Sequence, residues 1–263
     1  MTNGSSQKLH IEVSMQNFSY CIKNQKNRQI VGFKSIPLDS FKAIDQQLDF
    51  IFDKETALHS GFDDILVLHN NNLNTFVPSA LFDKTALGSY LQYNVKVFPT
   101  DYFDYDSIES LQMENVYVPY VVFNNYFLDR FGSFDFQHIH TNLLQHFTHT
   151  SANNGTKEFF VHIADNHFEI VIIENKKLVF FNSYEYQTKE DFLYYILFVM
   201  EQLQLNPQEQ LVELTGKTDP TSELYQIVYQ YVRNVKVADL KTTAQALLTE
   251  EEQLKEHYIL LQL

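Results

Sequence analysis

Two stretches of this chain repeat one another at a fixed offset. Leu9, Ile11 and Val13 alternate with polar neighbours, and after a short turn Phe18, Tyr20 and Ile22 do the same. Further on, Phe159, Val161 and Ile163, then Phe168, Ile170 and Ile172, show the same alternation. Glu12 aligns with His162 and Phe18 with Phe168, both pairs 150 positions apart, so the intervening turn matches without a gap. Period-two alternation broken by turn residues predicts antiparallel strands. An internal duplication accounts for the fixed offset; the alternative is a chance likeness between two meanders.

Each hairpin runs on into a third apolar stretch, Ile30 to Ile36 in the first block and Leu178 to Tyr184 in the second. A helix follows in each. Asp39 or Ser40 caps the first, whose apolar face is Phe41, Ile44, Leu48, Ile51 and Phe52; Thr188 opens the second, with Phe192, Ile196, Val199, Met200 and Leu203. Ile65 to Leu68 and Leu211 to Leu214 then predict a fourth strand in each block. Asp219 before Pro220 signals one more helix, with Leu224, Ile227, Val228 and Tyr231 as its buried stripe. Between the blocks, Pro78 to Leu87 suggests one or two helices, Val95 to Phe98 and Val116 to Phe123 strands, and Ile139 to Phe147 a helix. Leu247 to Leu261 reads as a final helix. The turn-rich stretch Thr150 to Thr156 separates two expected domains, residues 9–150 and 151–263.

Composition narrows the function classes. Hydrophobic residues make up 44% and charged residues 20%, ordinary globular usage that argues against disorder. The net charge of −14, with no basic stripe, opposes binding to nucleic acid or to an anionic membrane. No apolar run is long enough to insert in a bilayer, and Met1 to Lys8 has no apolar signal core. The lone Cys21 excludes an intrachain disulfide, fits a reducing compartment and, in an alternating apolar run, reads as a buried structural thiol. A cytoplasmic protein is expected.

Three antiparallel strands followed by alternating helix and strand resemble the ribonuclease-H-like plan. Two such halves in tandem resemble the actin, hexokinase and Hsp70 superfamily. The likeness is carried by "FFVHIADNHFEIVIIENKKLVFFNSY" and "LVELTGKTDPTSELYQIV", between Phe159 and Val232. The latter is similar to the superfamily's strand, glycine turn and helix beside the adenosine, with Gly216 at the turn. The whole chain resembles a family of uncharacterised bacterial proteins with an actin-like ATPase fold. The resemblance implies an α/β protein of two tandem halves, each a mixed sheet flanked by helices.

It also implies a place for nucleotide. Active members carry an Asp and a glycine-rich turn in each first hairpin, which hold magnesium and open backbone N–H groups to phosphate. Here Glu12 and Ser14 occupy the first set, followed by Met15, Gln16 and Asn17; His162 and Ala164 occupy the second, followed by Asp165, Asn166 and His167. The whole chain has only 7 glycines, and neither turn contains one. Glu12 retains an oxygen ligand for magnesium, whereas His162 suits that hard cation poorly. The matching positions Glu12, Ser14, His162, Ala164, Asp165 and Gly216 therefore form a degenerate nucleotide site, and no cofactor is expected.

Other constellations carry less. Gly216-Lys217-Thr218 lacks the P-loop's preceding glycine, since Leu211 stands there. His138, His140, His146 and His149 cluster without a Cys, Asp or Glu between them, against metal-site composition. Asp101, Asp104, Asp106 and Glu109, interleaved with Tyr102, Phe103 and Tyr105, read as a solvated acidic loop with aromatic anchors. Those three rings are also the candidate contact patch for a partner; the alternative is that they fold back to cover the central segment. The sequence supports a non-catalytic actin-like protein acting as a binding or adaptor module for an unidentified protein partner. The alternative is an ATPase that binds Mg-ATP through an unusual site built on Glu12, Asp165 and Gly216. A metal-dependent nuclease is excluded, because clustered carboxylates on the first strands and a basic surface are both missing.

Overall fold

A computed structural model of the chain describes residues 6–98, 100–238 and 255–263. Two compact units divide at Leu143/Leu144; Ile259–Leu263 belongs to the first and residues 255–258 to the second.

The first unit opens with the antiparallel meander β1 (Gln7–Val13), β2 (Asn17–Asn24) and β3 (Ile30–Pro37), followed by α1 (Ile44–Lys54) and β4 (Asp64–His69). Next come β5 (Asn74–Pro78), α2 (Leu87–Leu91), β6 (Asp104–Ile108), β7 (Met113–Tyr117), α3 (Val121–Phe131) and β8 (Asp135–His138). The helix α4 (Ile139–Thr150) leads into the second unit: β9 (Lys157–Ile163), β10 (His167–Glu174), β11 (Lys177–Glu185), α5 (Lys189–Gln202), β12 (Leu211–Gly216), α6 (Glu223–Tyr231) and β13 (Asn234–Val237). A short helix, α7 (Tyr258–Gln262), ends the described chain.

The two main sheets have one topology. Their strand orders are β3-β2-β1-β4-β8 and β11-β10-β9-β12-β13, antiparallel across the meander and parallel beyond it. The repeat extends to detail. β1 and β9 share a burial pattern, as do β2 and β10. A bulge interrupts the register after Ile22 in one half and after Ile172 in the other. Ser14 N–H bonds to Asn17 O at 2.9 Å, and Ala164 N–H to His167 O at 3.0 Å, so both hairpins close alike.

Alternation places Leu9, Ile11 and Val13 on one face of the first sheet, where they pack with Leu48 and Phe52 of α1 and Phe123 and Phe127 of α3. Phe159, Val161 and Ile163 meet Phe192 and Ile196 of α5 and Val228 of α6 in the same way. Thr188 caps α5 with a full capping box to Asp191. The first unit adds a three-stranded sheet, β5-β7-β6, with its own small core around Val77, Leu91 and Val116.

Several local expectations are corrected. α1 starts at Ile44, and Phe41 is 96% exposed, because Asp39 accepts from the Phe41 N–H in a turn instead of capping the helix. The run Val116 to Phe123 breaks at Pro119: β7 ends at Tyr117 and α3 begins at Val121. Val95 to Phe98 is not a strand. Residues 247–254 of the expected final helix, with Glu250 to Glu252, lie outside the described residues.

Candidate functional site

The hairpin turns at the ends of β1 and β9 are where the superfamily resemblance puts phosphate, and each is filled by its own structure. In the first turn the Ser14 N–H is bonded to Asn17 O, and the Gln16 N–H to the Ser14 hydroxyl at 3.2 Å. The Tyr120 hydroxyl, which donates to Asn70 O at 3.1 Å, faces the Met15 N–H. Glu12 is buried and accepts from the Asn70 side chain at 2.9 Å. A phosphate approaching this turn finds N–H groups already engaged and a Cβ on every residue.

In the second turn, the Tyr186 hydroxyl donates to Ala164 O at 3.0 Å and lies 3.1 Å from Asp165 O. The exposed Asp165 carboxylate ion-pairs with Lys217. His162 is buried beside Thr215, with Nδ1 3.2 Å from its hydroxyl. That hydroxyl donates to Val161 O, so it accepts from His162, whose Nδ1 carries the proton.

Gly216 closes the strand that flanks this hairpin, with φ of +81°. A Cβ there would stand 2.3 Å from Ile163 O, so the close packing of β12 on β9 already requires glycine. The structure thus places Glu12 near the end of β1 and Ser14 in the turn that follows, with His162, Ala164, Asp165 and Gly216 around the other turn. Among the described residues no group of three or more His, Cys, Asp or Glu could hold a metal ion.

The family model described as "Protein of unknown function (DUF3822)" matches residues 1–235. The chain belongs to this family. No match was found among curated proteins. A Bacteroides thetaiotaomicron VPI-5482 protein, described as having an actin-like ATPase fold and unknown function, is similar in structure at a TM-score of 0.81 and 20% identity, over 95% of this chain and 98% of that one. The structure described as the PilM-PilN type IV pilus biogenesis complex is similar at a TM-score of 0.64 and 9% identity, over 97% and 96%. At these identities the likeness shows the fold, and the fold is actin-like.

What the sequence of this family member hid is a buried polar chain in its first half. Asp106, read from the sequence as part of a solvated loop, is instead buried on β6. Its carboxylate accepts from the Tyr117 hydroxyl at 3.1 Å, the His138 N–H at 2.8 Å and the Thr141 hydroxyl at 2.6 Å. Burial pushes its pKa up to about 6 against those hydrogen bonds. The chain of bonds continues from Thr141 through Asn115 and Asn74 to His140. His138 accepts the His140 N–H on Nδ1 and turns Nε2 to Asn71, and burial holds it uncharged. His138 and His140 are structural members of this network, and His146 pairs with Tyr258. The alternation of Phe103 and Tyr105 with Asp104 and Asp106 was the available signal for a strand here.

Of the proposed aromatic patch, Tyr102 is exposed. The Phe103 ring packs on Gly88, and Tyr105 tilts against Phe82 at 4.7 Å between centroids. These two rings fold back to cover the small core, which leaves Tyr102 as the exposed member of the patch.

Proposed function

We propose that this chain is a non-catalytic actin-like binding or adaptor module that does not use nucleotide. The observation that carries the reading is the first hairpin, where the Ser14 and Gln16 N–H groups are bonded inside the turn and Tyr120 stands over Met15. Gly216 gives no support to an ATPase, since strand packing accounts for it. The likeness in fold to a structure described as a pilus biogenesis complex supports a place in a protein assembly, by analogy of fold alone. The partner is therefore taken to be a protein, in keeping with a net charge of −14 that disfavours nucleic acid. No described helix is long and apolar enough to cross a membrane. Burial pushes the Cys21 thiol up to about 12, which suits an inert structural thiol, and we place the protein in the cytoplasm on that basis.

Calorimetry and thermal melting with Mg-ATP test the reading. The expected result is no heat of binding and no rise in Tm, whereas ligand at a hundredfold its Kd would stabilise by about 2.7 kcal/mol. Micromolar binding abolished by Glu12→Ala would overturn it in favour of a nucleotide-binding site, and phosphate release would then test the ATPase alternative.

A further inference from the structure

A cavity of about 870 Å³ opens on the first unit, away from both hairpin turns. Strand register builds its floor on the sheet face opposite the Leu9, Ile11 and Val13 core. Lys8 lies opposite Lys23 and beside Asp64; His10 lies opposite Cys21 and beside Leu66, which pairs in turn with Asp135. Residues paired across neighbouring strands share a face, so these side chains form one layer. The turn after β2 brings in Arg28, and β6 supplies a wall with Tyr105 and Asp106.

Lys8, Lys23 and Arg28 stand against Asp64, Asp106 and Asp135 in this lining, so the formal charges balance but are unevenly paired. Lys8 is ion-paired with Asp64, and both carboxylate oxygens of Asp106 already accept hydrogen bonds. Asp135 is exposed on the edge strand. Lys23 and Arg28 have no carboxylate partner among the described residues. Lys23 is 8% exposed, and its ammonium donates to Leu261 O at 2.9 Å, which uses one of its three donors. Burial, with Arg28 adding repulsion, holds its pKa below the ordinary lysine value. His10 is 7% exposed and keeps a buried Nδ1 with no hydrogen-bond partner. Buried polar atoms are ordinarily satisfied, and a buried ammonium without a counter-charge is costly. The spare donors of Lys23 and Arg28 and the Nδ1 of His10 are therefore the polar groups that a ligand in this cavity would satisfy.

We propose that this cavity binds a small organic molecule carrying a carboxylate or phosphate group, with the oxyanion held by Lys23, Arg28 and His10 and the apolar body against Leu66 and Tyr105. The oxyanion supplies acceptors for the remaining Lys23 donors and for the planar Arg28 fork, which matches carboxylate and phosphate geometry. The site is independent of the proposed adaptor role, because none of its residues belongs to the hairpin turns.

Amide NMR titrations of the full chain with phenyl phosphate, benzoate and inorganic phosphate test it. Saturable shifts at His10, Lys23 and Arg28 with a Kd of about 1 mM or tighter are expected for a probe with a ring, and weaker binding for inorganic phosphate. Preference between phenyl phosphate and benzoate assigns the oxyanion. Lys23→Gln and Arg28→Gln should each weaken binding by about tenfold or more, and Arg233→Gln, in the second unit, should leave it unchanged. Arg28 is exposed in its turn, so Arg28→Gln decides the matter even if Lys23→Gln fails to fold. Absence of saturation, shifts confined to other regions, or undiminished affinity in Arg28→Gln would overturn the proposal.

Discussion

A Cβ on Gly216 would stand 2.3 Å from the carbonyl oxygen of Ile163. The equivalent register position in the first half, beside Val13, is held by His69, whose φ is not positive, so the two halves share a topology but differ in backbone conformation where these strands end. Gly216→Ala meets both the contact and a φ of +81°. It is expected to destabilise the protein by on the order of 1–3 kcal/mol from backbone strain alone. Gly61→Ala, at a glycine with nothing near its absent Cβ, should stay within about 0.5 kcal/mol of wild type. Equal melting temperatures for the two variants would contradict the packing described.

Asp106 makes stability fall as pH rises. Its folded pKa is about 6 against 3.8 for a free side chain, so between those values the folded protein keeps a proton that the unfolded chain has lost. The penalty for ionising it grows through that window to on the order of 3 kcal/mol and is complete above pH 6. Asp106→Asn can keep the contacts to His138, Thr141 and Tyr117 and carries no charge. Its Tm relative to wild type should therefore improve from pH 4 to pH 7, and a pH-independent difference would refute the assignment.

His69 works in the opposite direction. Its Nδ1 accepts from the Tyr120 N–H at 3.1 Å while Nε2 faces Asn124 Oδ1 at 3.0 Å, which fixes a neutral ring protonated on Nε2. Burial lowers its pKa to about 4. Below pH 6.5 the unfolded chain takes up a proton that the folded protein refuses until pH 4, so this contribution to stability is lost as pH falls through that range. The ring resonances of His69 should stay in their neutral positions at pH 5.5. A midpoint near 6.5 would show that the ring is not held as described.

The repeat was legible because strand alternation is local: Leu9, Ile11 and Val13 announce their face without knowledge of any partner. The central segment was not, because its apolar runs are short and periodicity alone does not separate strand from helix there. Pro119 was the one residue that could have divided Val116 to Phe123 correctly. Asp106 was hidden for a different reason. An aspartate reads as solvated unless its donors are known, and Thr141 and His138 reach it from more than thirty positions away through the fold. The absence of glycine from both hairpin turns is visible in sequence, but the engagement of the first turn's N–H groups by Ser14 and Asn17 depends on how that turn folds.

The acidic aromatic segment separates stability from surface. Tyr102 is 54% exposed, whereas Phe103 packs with Val77, Leu91 and Val116 in the small core, its ring against Gly88. Phe103→Ala removes apolar contacts and leaves a void, with an expected loss of about 3 kcal/mol. Tyr102→Ala touches nothing of that core and should change stability by no more than about 0.5 kcal/mol. If the chain binds a protein through this face, Tyr102→Ala should reduce capture of that partner by wild-type-stable protein, because exposed tyrosines act as interface anchors worth about 1–2 kcal/mol. Denaturant unfolding of both variants checks the first pair of expectations, and capture of the purified partner at equal folded concentration checks the last. Capture that survives Tyr102→Ala but fails in Glu12→Ala with Asp165→Ala would move the binding surface to the hairpin turns.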